Sequence, residues 1–408
     1  MSTTRRDFLV QGLGGATLLA SGVSLPGFLS RTAWAASLSS GFAARDQSVL
    51  VVVQLSGGND GLNTVIPYED DAYHRSRPTL RAAAERVLKL DNRLGLHPEL
   101  AGLKRLYDDG RLSVVTNVGY PNPDRSHFRS MDIWHTARLD PAGVDVGWLG
   151  RVVDQMQEQR SAPTALHIGE QSLPLALKTR THTVPSIRSL EAFRLREGAA
   201  ELEAAIAARR DAARDDLLFV QHVALSACAN ARRIEQMARP QAAGGEYPNY
   251  GLARRLREIA DLIAADFGPR IYYTSLDGFD THARQALAHG PLLRELGDSV
   301  AAFLGDLKSR GLAERVVLMT FSEFGRRLKE NAGQGTDHGA AAPMFVAGAA
   351  CRAGVLGDAP DLSNLEDGDV RHRVDFRQVY AELLDRWLNV DSRDVLGEQF
   401  EPPRILGA

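Results

Sequence analysis

The chain is 408 residues long, 44% hydrophobic and 24% charged, with a formal net charge of −3. That balance is globular and mildly acidic, so a domain-sized core can be buried and no basic surplus exists to attract nucleic acid or an anionic membrane surface. Only two cysteines occur, with no Cys-x-x-Cys pair, which excludes a thiolate zinc site and a thioredoxin-type function.

The N-terminus reads as a leader. Arg5-Arg6-Asp7-Phe8-Leu9 resembles the twin-arginine export signal of bacteria. The Gly- and Ala-rich stretch from Val10 to Ala20 is too short and too weakly apolar to span a bilayer, and Ala33-Trp34-Ala35 offers the small side chains that signal peptidase needs. We expect a signal peptide over 1–35, the twin-arginine export machinery as a partner, and a mature chain working in the periplasm or beyond. No later stretch reaches the roughly 18 apolar residues of a stable membrane span.

Ser48 to Leu55 holds an unbroken apolar run, Val49 to Val53, which predicts a strand buried on both faces, as in a parallel sheet. It breaks at Ser56-Gly57-Gly58-Asn59-Asp60-Gly61, a loop rich in residues that tolerate unusual backbone angles. His97 to Tyr107 has apolar residues at helical spacing with Pro98 in the first turn, and a strand follows over Leu112 to Val115. Residues 188–268 are Ala-, Arg- and Glu-rich and read as a mainly helical excursion, a layer packed on the sheet rather than a cap.

The strand and helix rhythm then resumes: strand Arg270 to Leu276, helix Leu292 to Leu307, strand Arg315 to Phe321, strand Pro343 to Ala347, and a closing helix Arg377 to Leu388 bearing Trp387. Alternation of this kind predicts an α/β fold, a mostly parallel sheet flanked by helices on both faces, in one domain over 48–390. Cys228 and Cys351 read as small buried residues rather than as a bridge.

In open α/β sheets ligands bind beyond the carboxyl ends of strands, so polar clusters that follow predicted strands carry the functional signal. Four stand out. The first holds Asn59 and Asp60 behind a Gly-Gly pair that lets a ligand approach the backbone. The second is Asp124-Arg125-Ser126-His127-Phe128, which combines a hydroxyl, an imidazole and a guanidinium; a serine capping the next helix is its plainer reading. The third is Asp277-Gly278-Phe279-Asp280-Thr281-His282, where two carboxylates and an imidazole lie within six residues. The fourth joins Ser322-Glu323-Phe324-Gly325-Arg326 to Thr336-Asp337-His338-Gly339, an Asp-His pair with no evident packing role.

Taken together and in this order, these motifs resemble an exported bacterial family catalogued as domain of unknown function fifteen-oh-one, with the similarity covering about residues 48–390. That family is placed in the alkaline phosphatase and sulfatase superfamily, and the resemblance implies a three-layer sandwich of that type with a two-metal site acting on phosphate or sulfate esters. Laid on this chain, it implies metal ligands among Asn59, Asp60, Asp277, Asp280, His282, Glu323, Asp337 and His338. It further implies catalytic work by Ser126 and His127, with Arg125 or Arg326 clamping the anion. Two departures stand out: Ser56 replaces the acid expected directly after the first strand, and Phe324 stands where a histidine ligand belongs. The implied cofactor is a divalent metal, Zn, Mn or Fe, and the implied substrate a small anionic ester. The reading from another class is a non-catalytic periplasmic binding or assembly protein on the same fold.

Overall fold

The structure, a computed structural model, describes residues 48–157, 163–190 and 245–407. The expected leader, Cys228 and most of the expected helical excursion lie outside them. Nine strands form the central sheet of the described residues. In chain order they are β1 (Val49–Ser56), β2 (Leu112–Gly119), β3 (Ala165–Ile168), β4 (Ser186–Ile187), β5 (Ile271–Asp277) and β6 (Val316–Phe321), then, after a separate hairpin of β7 (Arg326–Glu330) and β8 (Thr336–His338), β9 (Ala342–Gly348), β10 (Gly354–Leu356) and β11 (Val374–Asp375). The spatial order is β10-β2-β9-β6-β1-β5-β3-β4, with β11 also on β2.

β1 lies at the centre, parallel to both β5 and β6. Its apolar run is explained by helices on both sides. Val49, Val51, Val53 and Leu55 face one layer, and Leu50 and Val52 the other. Each such side chain contributes about 1.5–3 kcal/mol by leaving water. The first layer contains α1 (Ala101–Asp108), α4 (Gly251–Ala264) and α5 (Gln285–Ser309); the second contains α2 (His127–Thr136), α3 (Trp148–Gln157) and α6 (Phe376–Glu382). The mixed, mostly parallel sheet with helices on both faces is the architecture expected from the sequence.

Three details differ from expectation. β9 runs antiparallel to both of its neighbours. Only the β7–β8 hairpin separates it from β6, and a parallel return needs a longer crossover, usually helical. α5 begins at Gln285, seven residues before the expected Leu292, and continues through Pro291, because Gln285 and His289 are buried on its first turns. The closing helix passes into a π-helical turn over Leu383–Leu388. Cys351 is buried as expected, and that burial pushes its thiol up to about 12.

Packing on the second face positions the site. Trp134 stacks between Phe376, at 4.3 Å, and Phe321, at 5.4 Å. This pins α2 to β6 and leaves its first residue, His127, at the carboxyl edge of the sheet.

Candidate metal centre

Four loops meet at the carboxyl edge: those after β1 and β5, the turn after β6, and the chain entering α2. The Gly57-Gly58 pair makes the meeting possible. Both residues have positive φ, +118° and +77°. A Cβ on Gly57 would lie 2.3 Å from the Asp280 nitrogen, and one on Gly58 would lie 2.3 Å from the Phe324 ring. Only bare backbone fits between those neighbours.

At the junction, three imidazoles face one carboxylate oxygen. Asp280 Oδ1 lies 3.0 Å from His282 Nε2, 3.2 Å from His338 Nε2 and 3.5 Å from His127 Nε2. His282 Nε2 and His338 Nε2 are themselves 2.8 Å apart. The ligand atoms of His127, Asp280 and His338 all fall within 4.8 Å of one another.

The far nitrogen of each ring faces an acceptor, within hydrogen-bond distance for His127 and His338. His127 Nδ1 sits 2.8 Å from Glu323 Oε1, His338 Nδ1 is 2.7 Å from the Arg125 carbonyl, and His282 Nδ1 is 3.7 Å from Asp337 Oδ1. A carbonyl oxygen only accepts, so His338 must donate from Nδ1, and a neutral ring then aims its Nε2 lone pair at Asp280. Glu323 Oε1, which also accepts the Gly57 N–H at 2.8 Å, fixes His127 in the same tautomer. The buried His127 Nε2 has no hydrogen-bond partner among the described residues. Lone pairs and a carboxylate oxygen held this close are relieved by a cation among them or by a proton on His282 Nε2, which lies 2.8 Å from His338 Nε2.

The electrostatics follow from these contacts. The bond to Glu323 raises the His127 pKa against the opposing effect of burial, and Asp280 adds to the rise. Burial lowers that of His338. Burial also opposes ionisation of Asp280, but the hydrogen bond and positive charge of Arg326 outweigh it and hold the carboxyl at about 2. Three imidazoles with one carboxylate, the far sides of the His127 and His338 rings oriented by acceptors, suit Zn²⁺, Mn²⁺ or Fe²⁺ rather than Ca²⁺. These residues fit a metal ion.

They fit one ion rather than two. Phe324 packs its ring 4.9 Å from that of His127 and 4.6 Å from that of His338, so an apolar wall stands where the resemblance led us to expect a further ligand.

The other expected ligands lie elsewhere. Asp60 is fully buried behind the cluster, where its Oδ2 is 2.5 Å from Arg77 Nη1 and accepts from Gln285 Nε2. Burial works against its charge, and the Arg77 pair outweighs that and lowers its pKa. Asn59 is buried beside it, its Oδ1 facing His289 Nε2 at 2.9 Å. Asp277, the last residue of β5, points away from the cluster and accepts from Gln171 Nε2 at 2.7 Å. Glu323 and Asp337 stand behind histidines rather than among the converging atoms.

The expected anion clamps are engaged as well. Arg125 donates twice to Asp369 Oδ2, at 2.9 and 2.6 Å. Arg326 is buried and bonded on all three nitrogens. Ser126 is exposed at the N-cap of α2, and its hydroxyl makes no capping bond. His127, read from sequence as catalytic, turns its Nε2 toward Asp280 alongside the other two imidazoles. Arg77, Gln285 and Asp369 carried no signal in the sequence, because none belongs to a motif and each gains its role from a distant partner.

The family described as "Protein of unknown function (DUF1501)" matches residues 47–400. No curated protein matches the sequence. Among solved structures, the chain is similar to a protein in the alkaline phosphatase superfamily from Vibrio parahaemolyticus, at 9% identity and a TM-score of 0.37 over 82% of this chain and 71% of that one. It is similar to a sulfatase from Pseudoalteromonas sp., at 12% identity and a TM-score of 0.38 over 90% of this chain and 72% of that one. It is also similar to a phosphonate monoester hydrolase from Silicibacter pomeroyi, at 10% identity and a TM-score of 0.34 over 87% and 77%.

Proposed function

The chain belongs to the DUF1501 family, and we propose that it is an exported hydrolase of phosphate or sulfate esters that works with one divalent metal held by His127, Asp280, His282 and His338. The observation that carries this reading is the convergence of three imidazole Nε2 atoms on Asp280 Oδ1. A metal ion there would supply Lewis acidity, acidifying water and offsetting negative charge that develops on an ester oxygen.

The chain's own residues prepare that chemistry. Glu323 and the Arg125 carbonyl hold His127 and His338 in the tautomer that presents Nε2. Ser126, exposed beside His127 with its hydroxyl free of capping duty, is the candidate nucleophile. The test is release of nitrophenol from p-nitrophenyl phosphate and p-nitrophenyl sulfate by metal-stripped and metal-reconstituted protein. Turnover that needs metal and is lost in Ser126→Ala and His338→Ala supports the reading.

A second reading has a specific observation in its favour. Both arginines expected to clamp an anion are engaged within the protein, as a non-catalytic metal-binding or assembly protein would allow. Stoichiometric metal with no turnover of either ester would favour it. Export through the twin-arginine route to the periplasm is part of the proposal and rests on Arg5-Arg6 and the leader that follows.

A further inference from the structure

Arg326 is among the largest side chains that the fold buries completely. Its Nε donates to the Gly58 carbonyl at 2.7 Å and its Nη1 to the Thr336 carbonyl at 2.7 Å. Its Nη2 donates to the Gly57 carbonyl at 2.5 Å, the Phe279 carbonyl at 3.1 Å and Asp280 Oδ1 at 2.8 Å. One guanidinium thus joins the loop after β1, the loop after β5 and strand β8. Across the hairpin Arg326 is the register partner of His338, so the same residue sits against two of the converging groups.

A buried guanidinium is costly unless it is paired and its donors are satisfied. Here four carbonyls satisfy most of them, and the single carboxylate is that of Asp280. The oxygen that Arg326 grips is the one the three imidazoles face. A lysine in its place would offer a point charge without the planar fork, and could not hold these partners at once.

We propose that Arg326 is a positioning residue that holds Asp280 Oδ1 at the focus of the three histidines before a cation arrives. The proposal rests on the single-metal reading of this centre. It assigns Arg326 work on the carboxylate ligand in place of contact with substrate. Partners that orient metal ligands typically matter by about ten- to a hundredfold in metal affinity, and we expect Arg326 to fall in that range.

The experiment is Co²⁺ titration of metal-stripped full-length protein, followed by its visible absorption, for wild type, Arg326→Lys, Asp280→Asn and the double variant, each checked by thermal melting. Arg326→Lys should lose about ten- to a hundredfold in Co²⁺ affinity and change the absorption spectrum. Asp280→Asn should lose at least as much, and the double variant no more than Asp280→Asn alone. Equal, multiplying losses from the two substitutions would show that Arg326 acts only on the general fold, and would overturn the proposal. Should Arg326→Lys fail to fold, Asp280→Glu decides: it keeps the carboxylate and every carbonyl bond of Arg326 but moves the oxygen, and affinity equal to wild type would be fatal. A wild type that binds no Co²⁺ defeats the metal reading as well, whereas a wild type that binds Co²⁺ with additive variants defeats this inference alone.

Discussion

His127 Nδ1 and Glu323 Oε1 lie 2.8 Å apart, joining the first residue of α2 to the turn after β6. Because Glu323 also accepts the Gly57 N–H, its carboxylate is fixed from two sides and the imidazole is fixed by it. Glu323→Gln replaces one acceptor oxygen with a donor and removes the charge that favours this tautomer. We expect metal affinity to fall by about ten- to a hundredfold with melting little changed. Competition against a chelating dye measures the first and calorimetry the second. Wild-type affinity in the variant would show that the pair does not orient a ligand.

The Asp60–Arg77 pair behind the cluster concerns stability. Both side chains are fully buried. Asp60→Ala leaves the guanidinium without its carboxylate, and removing one member of such a pair costs about 3–5 kcal/mol. Urea unfolding of the full-length protein should show a loss of that size. A loss under about 1 kcal/mol would mean that the network relaxes around the missing charge.

Buried histidines outside the centre set a pH dependence. Burial lowers His135 and His289 to about 3, whereas an unfolded chain protonates them near 6.5. Between those values the unfolded state binds more protons, so stability is fully present above about pH 6.5 and declines as pH falls toward 3. Each group contributes a slope of up to about 1.4 kcal/mol per pH unit. Metal-free protein should melt at a clearly lower temperature at pH 5 than at pH 7, and His135→Asn should flatten the dependence. An unchanged slope in that variant would rule His135 out as a contributor.

Replacing Arg5 and Arg6 by lysine should leave unprocessed precursor in the cytoplasm, because the export receptor reads the arginine pair. Fractionation of expressing cells, followed by the mass of the product, measures this. Normal periplasmic accumulation of the double variant would refute the proposed route.

The layered fold was legible because β1 declares itself. A run such as Val49 to Val53 stays apolar without alternation only when both faces are covered. The direction of β9 was not legible, since it depends on the length of the connection rather than on the residues of the strand. β3 and β4 were missed because four and two residues carry too little pattern. At the site, the motif residues were identifiable as a group, but their division of labour was not. Asp277 and Asp280 are equivalent on paper; the turn at Gly278, with φ +106°, carries the chain so that only the second reaches the histidines. Arg326 and Arg125 carry the charge expected of anion clamps, and only their partners reveal that they hold protein.

The claim that one ion sits among His127, Asp280, His282 and His338 is tested most directly by metal content. Full-length protein purified without added salts should be analysed by elemental mass spectrometry, then stripped and titrated with Zn²⁺ and Mn²⁺. The account predicts close to one equivalent per chain, lost in His338→Ala and retained in Asp277→Ala. Two equivalents, or none before and after titration, would contradict it.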